Sequence, residues 1–231
     1  MIKKILSIDL DCIWEGEETS VLNPDKKVNL KMLDLIKSFS RFPSKKLEFG
    51  MDHHEMCKII DKSDNSFEID NIDAHHDLYA ENYQTWLNPL YIRGSSINIG
   101  NFLFQLLRER SVYRINWVLP VNHDLEVCRK KIFNNVGNYF GSKVHLTKAL
   151  DYDFKSEYDF IFLSISPEWL PPKDLEIIEN ILVEFGLCKE RRLDYLNRIN
   201  YRWSLGDDEE LISNDRFYFK DNYLIRNEII L

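Results

Sequence analysis

The chain has 231 residues, with 38 Asp and Glu against 30 Lys and Arg, a formal net charge of −8. Hydrophobic residues at 44% and aromatics at 13% suffice for an ordinary core and exclude disorder over most of the length. The acidic balance argues against nonspecific nucleic-acid binding, which needs a basic face. The longest apolar runs, such as Phe160 to Ile165, fall far short of the ~20 residues a membrane helix requires.

The N-terminus, Met1-Ile-Lys-Lys-Ile-Leu-Ser-Ile-Asp, meets acid at Asp9 and lacks a small-residue cleavage site, so it reads as a strand rather than a signal peptide. Cys12, Cys57, Cys128 and Cys188 are widely spaced, with no Cys-x-x-Cys pair. That pattern indicates neither a disulfide framework nor a thiolate zinc site, and fits a reduced, cytoplasmic compartment. Apolar runs of strand length alternate with helical patterns, which points to an α/β sheet. In chain order the expected strands are Ile2–Ile8, Lys46–Gly50, Ile69–Asp73, Ile115–Pro120, Val144–Thr147 and Asp159–Ser164. A helix capped by Asn29 uses Leu30, Leu33, Ile36 and Phe39 at helical spacing. Further helices are expected over Ile97 to Arg110, from about Asp124 to Asn134, and from Pro171-Pro172 to a stop at Gly186. The stretch from Leu78 to Ser96 has no clean period, and a loop of that length inside a compact domain is often functional. The chain reads as one domain over 1–231, with 202–231 as an appended C-terminal hairpin turning at Lys220-Asp-Asn.

Three segments gather acids and histidines behind apolar strands: Ser7-Ile-Asp-Leu-Asp, Gly50-Met-Asp-His-His-Glu, and Asp70-Asn-Ile-Asp-Ala-His-His-Asp-Leu. Side chains two apart on an extended chain point to one side. Asp9 with Asp11, and Asp73 with His75 and Asp77, are therefore expected to converge at strand C-terminal ends, where open parallel sheets form their sites. Taken alone, Asp-x-Asp could be a turn and a helix cap, and His-His a surface or core pair. Three ionisable groups on one side of a segment are costly to bury without a counter-ion, which favours a metal site for the set as a whole. Carboxylate and imidazole ligands without thiolate suit manganese, iron or zinc. Four carboxylates around one divalent ion would leave excess negative charge, whereas two ions about 3.5–4 Å apart use the set better and activate water for hydrolysis.

Asp73-Ala-His-His-Asp resembles the Asp-Ala-His-x-Asp signature of the arginase and agmatinase (ureohydrolase) family. Ser7-Ile-Asp-Leu-Asp is similar to its Ser-x-Asp-x-Asp metal motif, and Gly50-Met-Asp-His to its Gly-Gly-Asp-His segment. Two features depart from the family: the Ser-x-Asp-x-Asp strand comes first instead of late, and the chain is short. Both are similar to an atypical arginase-like branch, some of whose members are peptide arginases that convert arginine to ornithine in ribosomally made precursor peptides.

The resemblance implies an arginase-like three-layer α/β sandwich with a mostly parallel sheet and the Asp-x-Asp strand moved to the N-terminus. It implies two Mn2+ ions, with Fe2+ or Co2+ as alternatives. His53, Asp73, Asp77 and Asp9 would surround one, and His75, Asp11, Asp73 and Asp9 the other. Hydroxide held between them would attack the guanidinium carbon, oriented by Asp77, and urea would leave. The partner would be an arginine-containing precursor peptide, with neither nucleic acid nor membrane involved. Glu55 could face the same rim and hold the guanidinium, or simply cap the next helix. The segment Asp159-Phe-Ile-Phe-Leu-Ser-Ile-Ser-Pro-Glu-Trp resembles the last core strand of ureohydrolases, where an acid clamps the guanidinium. Ser164 stands near that position, which leaves Glu168 as the substitute. His54 and His76 should point away from the ligands, which leaves each of them at most a supporting or proton-shuttle role. Asn98 and Asn101 could line the site, although a helix start explains Asn98 equally well. His123 and His145 read as structural, and Tyr79, Tyr83 and Trp86 could stack on a peptide or fill the core.

Three other readings compete. One is a hydrolase of free arginine, agmatine or a related guanidino compound. Another is a non-catalytic peptide-binding protein that retains the fold. The third is a haloacid-dehalogenase-like phosphatase, suggested by Leu6-Ser-Ile-Asp-Leu-Asp. That family expects small residues next, where Cys12-Ile13-Trp14 follows, and it gives His53, His75 and Asp77 no role.

Overall fold

The computed structural model describes residues 2–15, 26–44, 46–61, 65–78, 96–97, 101–108, 111–132, 142–205, 217–220 and 223–226. Its centre is a six-stranded sheet built from β1 (Ile2–Asp9), β4 (Leu47–Gly50), β5 (Ser66–Ile72), β7 (Val112–Leu119), β8 (Val144–Lys148) and β9 (Phe160–Ser164). The strands lie in the order β4-β9-β1-β5-β7-β8, and every neighbouring pair is parallel. The strands are apolar on both faces because both faces are covered by helices, as all-parallel sheets require. Leu6 and Ile8 point to one side and Ile5 to the other, and Ile161 and Leu163 alternate in the same way with Phe162. On the first side lie α1 (Leu30–Ser38), α5 (Leu175–Glu184) and α6 (Lys189–Leu205), through Met32 and Ile36, Ile178 and Ile181, and Leu196 and Ile199. On the second lie α2 (Cys57–Asp61), α3 (Phe102–Arg108) and a helix over residues 125–132 (α4), through Ile60, Phe104 and Ile132. This is a three-layer α/β arrangement.

The helix ends follow local chemistry. Asn29 Oδ1 accepts the Met32 amide at 3.1 Å, and Asp124 Oδ1 accepts those of Glu126 and Val127 at 2.8 and 3.0 Å. Helix α5 ends at Gly186, whose φ of 76° lets the Leu187 amide return to the Leu182 carbonyl at 2.9 Å. Two small pairings complete the description. The first joins β2 (Trp14–Glu15) to β3 (Lys27–Val28). The second is an antiparallel sheet in the order β11-β10-β6, from Tyr223–Arg226, Phe217–Lys220 and Ser96–Ile97. Within the stretch expected to form a C-terminal hairpin, β10 and β11 pair antiparallel, while residues 202–205 belong to α6, a helix the sequence reading does not anticipate. No helix among the described residues is long and apolar enough to cross a membrane.

Candidate metal centre

The acidic and histidine segments meet at the C-terminal ends of β4, β1 and β5, with β9 between β4 and β1. Asp9 is the last residue of β1 and Asp11 lies in the 3-10 turn Leu10–Ile13 that follows. His53 opens the 3-10 turn His53–Met56 beyond β4. Asp73, His75 and Asp77 come after β5 has ended at Ile72. The convergence therefore does not arise from alternation along extended strands. Each chain turns sharply within two or three residues of its strand end, and those turns aim the side chains inward.

His53 is fully buried, with its ring 5.0 Å from that of Phe102 and parallel to Phe162 at 6.3 Å. Its Nδ1 lies 2.9 Å from Asp73 Oδ2, 3.0 Å from Asp77 Oδ2 and 3.4 Å from Asp9 Oδ2. Its Nε2 lies 2.6 Å from Ser7 Oγ. His75 Nδ1 lies 2.7 Å from Asp11 Oδ2 and 3.9 Å from Asp73 Oδ1. Two groups, Asp9–His53–Asp73 and Asp11–Asp73–His75, hold their ligand atoms within 4.8 Å of one another, and Asp73 belongs to both. Either group can hold a metal ion.

Neighbours fix these ligands. Asp73 Oδ1 accepts the His75 amide at 2.7 Å, Asn71 Nδ2 donates to Asp73 Oδ2 at 3.4 Å, and the Trp117 indole donates to the Asp73 carbonyl at 3.0 Å. Ser166 Oγ donates to Asp9 Oδ2 at 2.7 Å and sits 3.0 Å from Ser164 Oγ. Asp77 has a φ of 50°, in the left-handed region that costs a non-glycine residue about 1–3 kcal/mol. That conformation sends its carboxylate to His53 while its carbonyl accepts the Leu103 and Phe104 amides at the start of α3.

The electrostatics are those of a cavity short of positive charge. Burial raises the Asp9 carboxyl and Asp11 raises it further. Burial and the neighbouring Asp73 push Asp77 up to about 8. Burial alone would raise Asp73 too, yet His53 holds it down at about 2. Burial opposes protonation of both imidazoles, but Asp73 and Asp77 hold His53 well above its usual range, and Asp11 and Asp73 hold His75 at about 10. Both imidazoles are thus held toward their charged form by the surrounding carboxylates. Asp11 Oδ1 and His75 Nε2 are buried without a hydrogen-bond partner. An acceptor-rich pocket of this kind, with protons substituting for missing positive charge, fits divalent metal.

Other sequence-derived candidates lie elsewhere. Glu55 Oε1 accepts the amides of Met51 and Asp52 at 3.1 and 3.4 Å, which is the capping role weighed above. His54 is buried and belongs to neither ligand group. His76 Nδ1 accepts the Leu78 amide at 3.0 Å, and its ring meets Trp117 edge-on. Asn101 is buried just before α3. His145 Nε2 contacts Arg114 at 2.8 Å, and His123 lines a small separate cavity with Cys12, Trp14 and Asn122. Asp70 has no part in the site although it belongs to the same segment. It accepts from Asn116, Tyr152 and Tyr158 at 2.6, 2.6 and 2.7 Å. The Glu168 side chain, Tyr79, Tyr83, Trp86 and Asn98 lie outside the described residues.

Sequence reasoning assigns no role to Ser7, Ser166, Lys26 or Trp169. Ser7 had a signal, since it shares a strand face with Asp9 two residues on. Ser166 had none, because it reaches Asp9 only through a backbone φ of 48°. Comparison with family models, with curated proteins and with solved structures finds no match.

Proposed function

We propose that the protein is a metal-dependent hydrolase of guanidino carbon–nitrogen bonds. It works with two divalent cations, Mn2+ foremost with Fe2+ or Co2+ as substitutes, on arginine side chains of a ribosomally made precursor peptide. The observation that carries this reading is the pair of three-ligand groups sharing Asp73 at one rim of a parallel sheet. Mixed oxygen and imidazole donors without thiolate suit these ions. In this reading Asp9, His53, Asp73 and Asp77 would hold one cation, and Asp9, Asp11, Asp73 and His75 the other. When bound, the cations supply Lewis acidity, lowering the pKa of water toward neutrality and polarising the electrophile.

The chain's own residues do the rest. With Nε2–H donating a hydrogen bond to Ser7 Oγ, Nδ1 of His53 would be the ligand nitrogen. Ser166 holds one oxygen of Asp9. Asp77, whose Oδ2 lies 3.0 Å from His53 Nδ1, would accept a hydrogen bond from attacking water and orient it. In the overall reaction the water oxygen joins the guanidinium carbon, the bond from that carbon to Nε breaks, and Nε takes both water protons, leaving as an ammonium while urea is neutral. Ornithine and urea result.

Incubation of an arginine-containing peptide with Mn2+-loaded protein should release urea and convert arginine to ornithine, read by mass spectrometry. Free arginine and agmatine in parallel assays set the substrate class. Tight binding of both metals without turnover of any of the three would favour a binding protein instead. Retained activity in both Asp9→Ala and Asp73→Ala would remove the two-metal assignment.

A further inference from the structure

We infer that Lys26 is a fixed opposing charge at the metal centre, one that weakens cation binding at the Asp11–Asp73–His75 group. The inference rests on the two-cation reading above, and not on the substrate or the reaction. Strand β2 continues from the 3-10 turn that carries Asp11, and β3 returns beside it, with Trp14 opposite Val28 and Glu15 opposite Lys27. The Asn29 amide donates to the Ile13 carbonyl at 2.8 Å, which ties the returning chain to that same turn. Lys26, just before β3, is thereby brought back to the rim, where it is 7% exposed. Its Nζ donates to the Trp169 carbonyl at 3.0 Å and lies over the Trp169 ring, 6.0 Å from the centroid. The His75 ring packs against the same indole at 4.6 Å, and His75 Nδ1 is 2.7 Å from Asp11 Oδ2. A single indole thus contacts both a buried ammonium and a candidate metal ligand.

Lysine is almost never buried to this degree unless it is paired. The hydrogen-bond acceptor here is a neutral carbonyl, so the compensating charge has to come from further off. Burial lowers the Lys26 ammonium below its usual range, and the Asp11 carboxylate counters that effect. Lys26 therefore senses the carboxylate that a cation beside His75 would use. Solvent ions screen buried charges far less than exposed ones. A divalent ion brings two positive charges to this group. Even where it displaces a proton from His75, the charge facing Lys26 rises by one, so loading works against the ammonium. His53 instead packs against Phe102 and Phe162 and has the Asp77 carboxylate at 3.0 Å. An opposing charge at one group keeps its ion exchangeable, and the occupancy of that position then follows the metal supply.

Two substitutions separate charge from scaffolding. Lys26→Gln removes the charge and keeps a donor for the Trp169 carbonyl, whereas Lys26→Met removes both. Calorimetric titration of metal-free protein with Mn2+ should show one of two binding steps tightened roughly 3- to 30-fold in each variant, the effect of one partly screened charge. Lys26→Arg should bind like wild type. In Asp11→Asn protein, which lacks the position built on His75, adding Lys26→Gln should change nothing. A purely structural Lys26 has the opposite sign: weaker binding in Lys26→Met and wild-type affinity in Lys26→Gln. That result, unchanged affinity in both variants, or the same tightening in the Asp11→Asn background would overturn the opposing-charge role. Tightened binding with no urea formed from any substrate would keep that role and reject the reaction. Wild-type protein that takes up no Mn2+ would remove the metal reading and this inference with it.

Discussion

Ser7 Oγ and Nε2 of His53 lie 2.6 Å apart, both fully buried, and this contact decides which nitrogen His53 presents to the carboxylates. With the proton on Nε2 donated to the hydroxyl, Nδ1 keeps its lone pair for a metal. Partners of this kind typically govern metal affinity by 10–100-fold. Ser7→Ala should therefore weaken Mn2+ binding by about that factor, measured by calorimetric titration, while Ser7→Thr, which keeps the hydroxyl, should bind close to wild type. Equal affinity in Ser7→Ala would show that the ring is oriented by its aromatic neighbours Phe102 and Phe162 alone.

Asp73 belongs to both three-ligand groups found among the described residues, so its loss should be felt at both proposed cations. Asp73→Asn keeps the shape and removes one of the charges that favour the protonated forms of His53 and His75. Metal stoichiometry by elemental analysis should fall at both positions in this variant. In Asp11→Asn the loss should be confined to the position built on His75. A variant lacking the Asp73 charge yet loading two ions per chain would contradict the shared-ligand geometry.

The contrast between Asp73 and Asp70 shows how far the sequence reaches. Both sit in one acidic segment behind an apolar run, and only the fold sends one to the site and the other to Tyr152 and Tyr158, 82 and 88 residues away. The six expected strands all appear, within a few residues at their ends, because continuous apolar runs in a doubly covered sheet leave a strong local signal. The convergence of Asp9, Asp11, His53, Asp73, His75 and Asp77 was legible as chemistry, since so many ionisable groups behind apolar strands need a counter-ion. Its local cause was misjudged: the ligands ride on 3-10 turns and on a left-handed Asp77, not on extended chain. Helix α6 leaves a weak signal because its seventeen residues are rich in charge, although Leu196, Ile199 and Trp203 recur at helical spacing.

Gly50 is required by close approach. A Cβ there would lie 2.6 Å from Phe162 Cζ and 3.1 Å from the Asp52 carbonyl. The Phe162 ring is 2% exposed and packed parallel to His53, so it cannot yield without disturbing a ligand. Gly50→Ala should destabilise the protein by about 1–3 kcal/mol, the usual effect of overpacking. It should also weaken metal binding, whereas Gly50→Ala combined with Phe162→Leu should recover part of the stability. Denaturant titration checks the first effect and calorimetry the second. A Gly50→Ala protein matching wild type in both would mean that Phe162 moves freely.

The raised pKa values of His75 and Asp77 set a sign for the pH dependence of metal-free protein. His75 titrates at about 10 in the fold and near ~6.5 in an unfolded chain, so its contribution is complete below ~6.5 and disappears as pH rises through about 10. Asp77, pushed up to about 8 from the ~3.9 of an unfolded chain, works in the same direction over a lower window. Metal-free protein should therefore melt at progressively lower temperature as pH rises from about 6 to 10. Divalent metal replaces those protons, so Mn2+ uptake near neutrality should release protons, and Mn2+-loaded protein should show a flatter profile. Thermal melts with chelator and with Mn2+ across that range measure both slopes. His75→Gln should reduce, without abolishing, the chelator slope above pH ~7, where His53 and Asp77 also contribute, and a metal-free protein that grew more stable toward pH 10 would refute the charge-deficient cavity on which the metal reading depends.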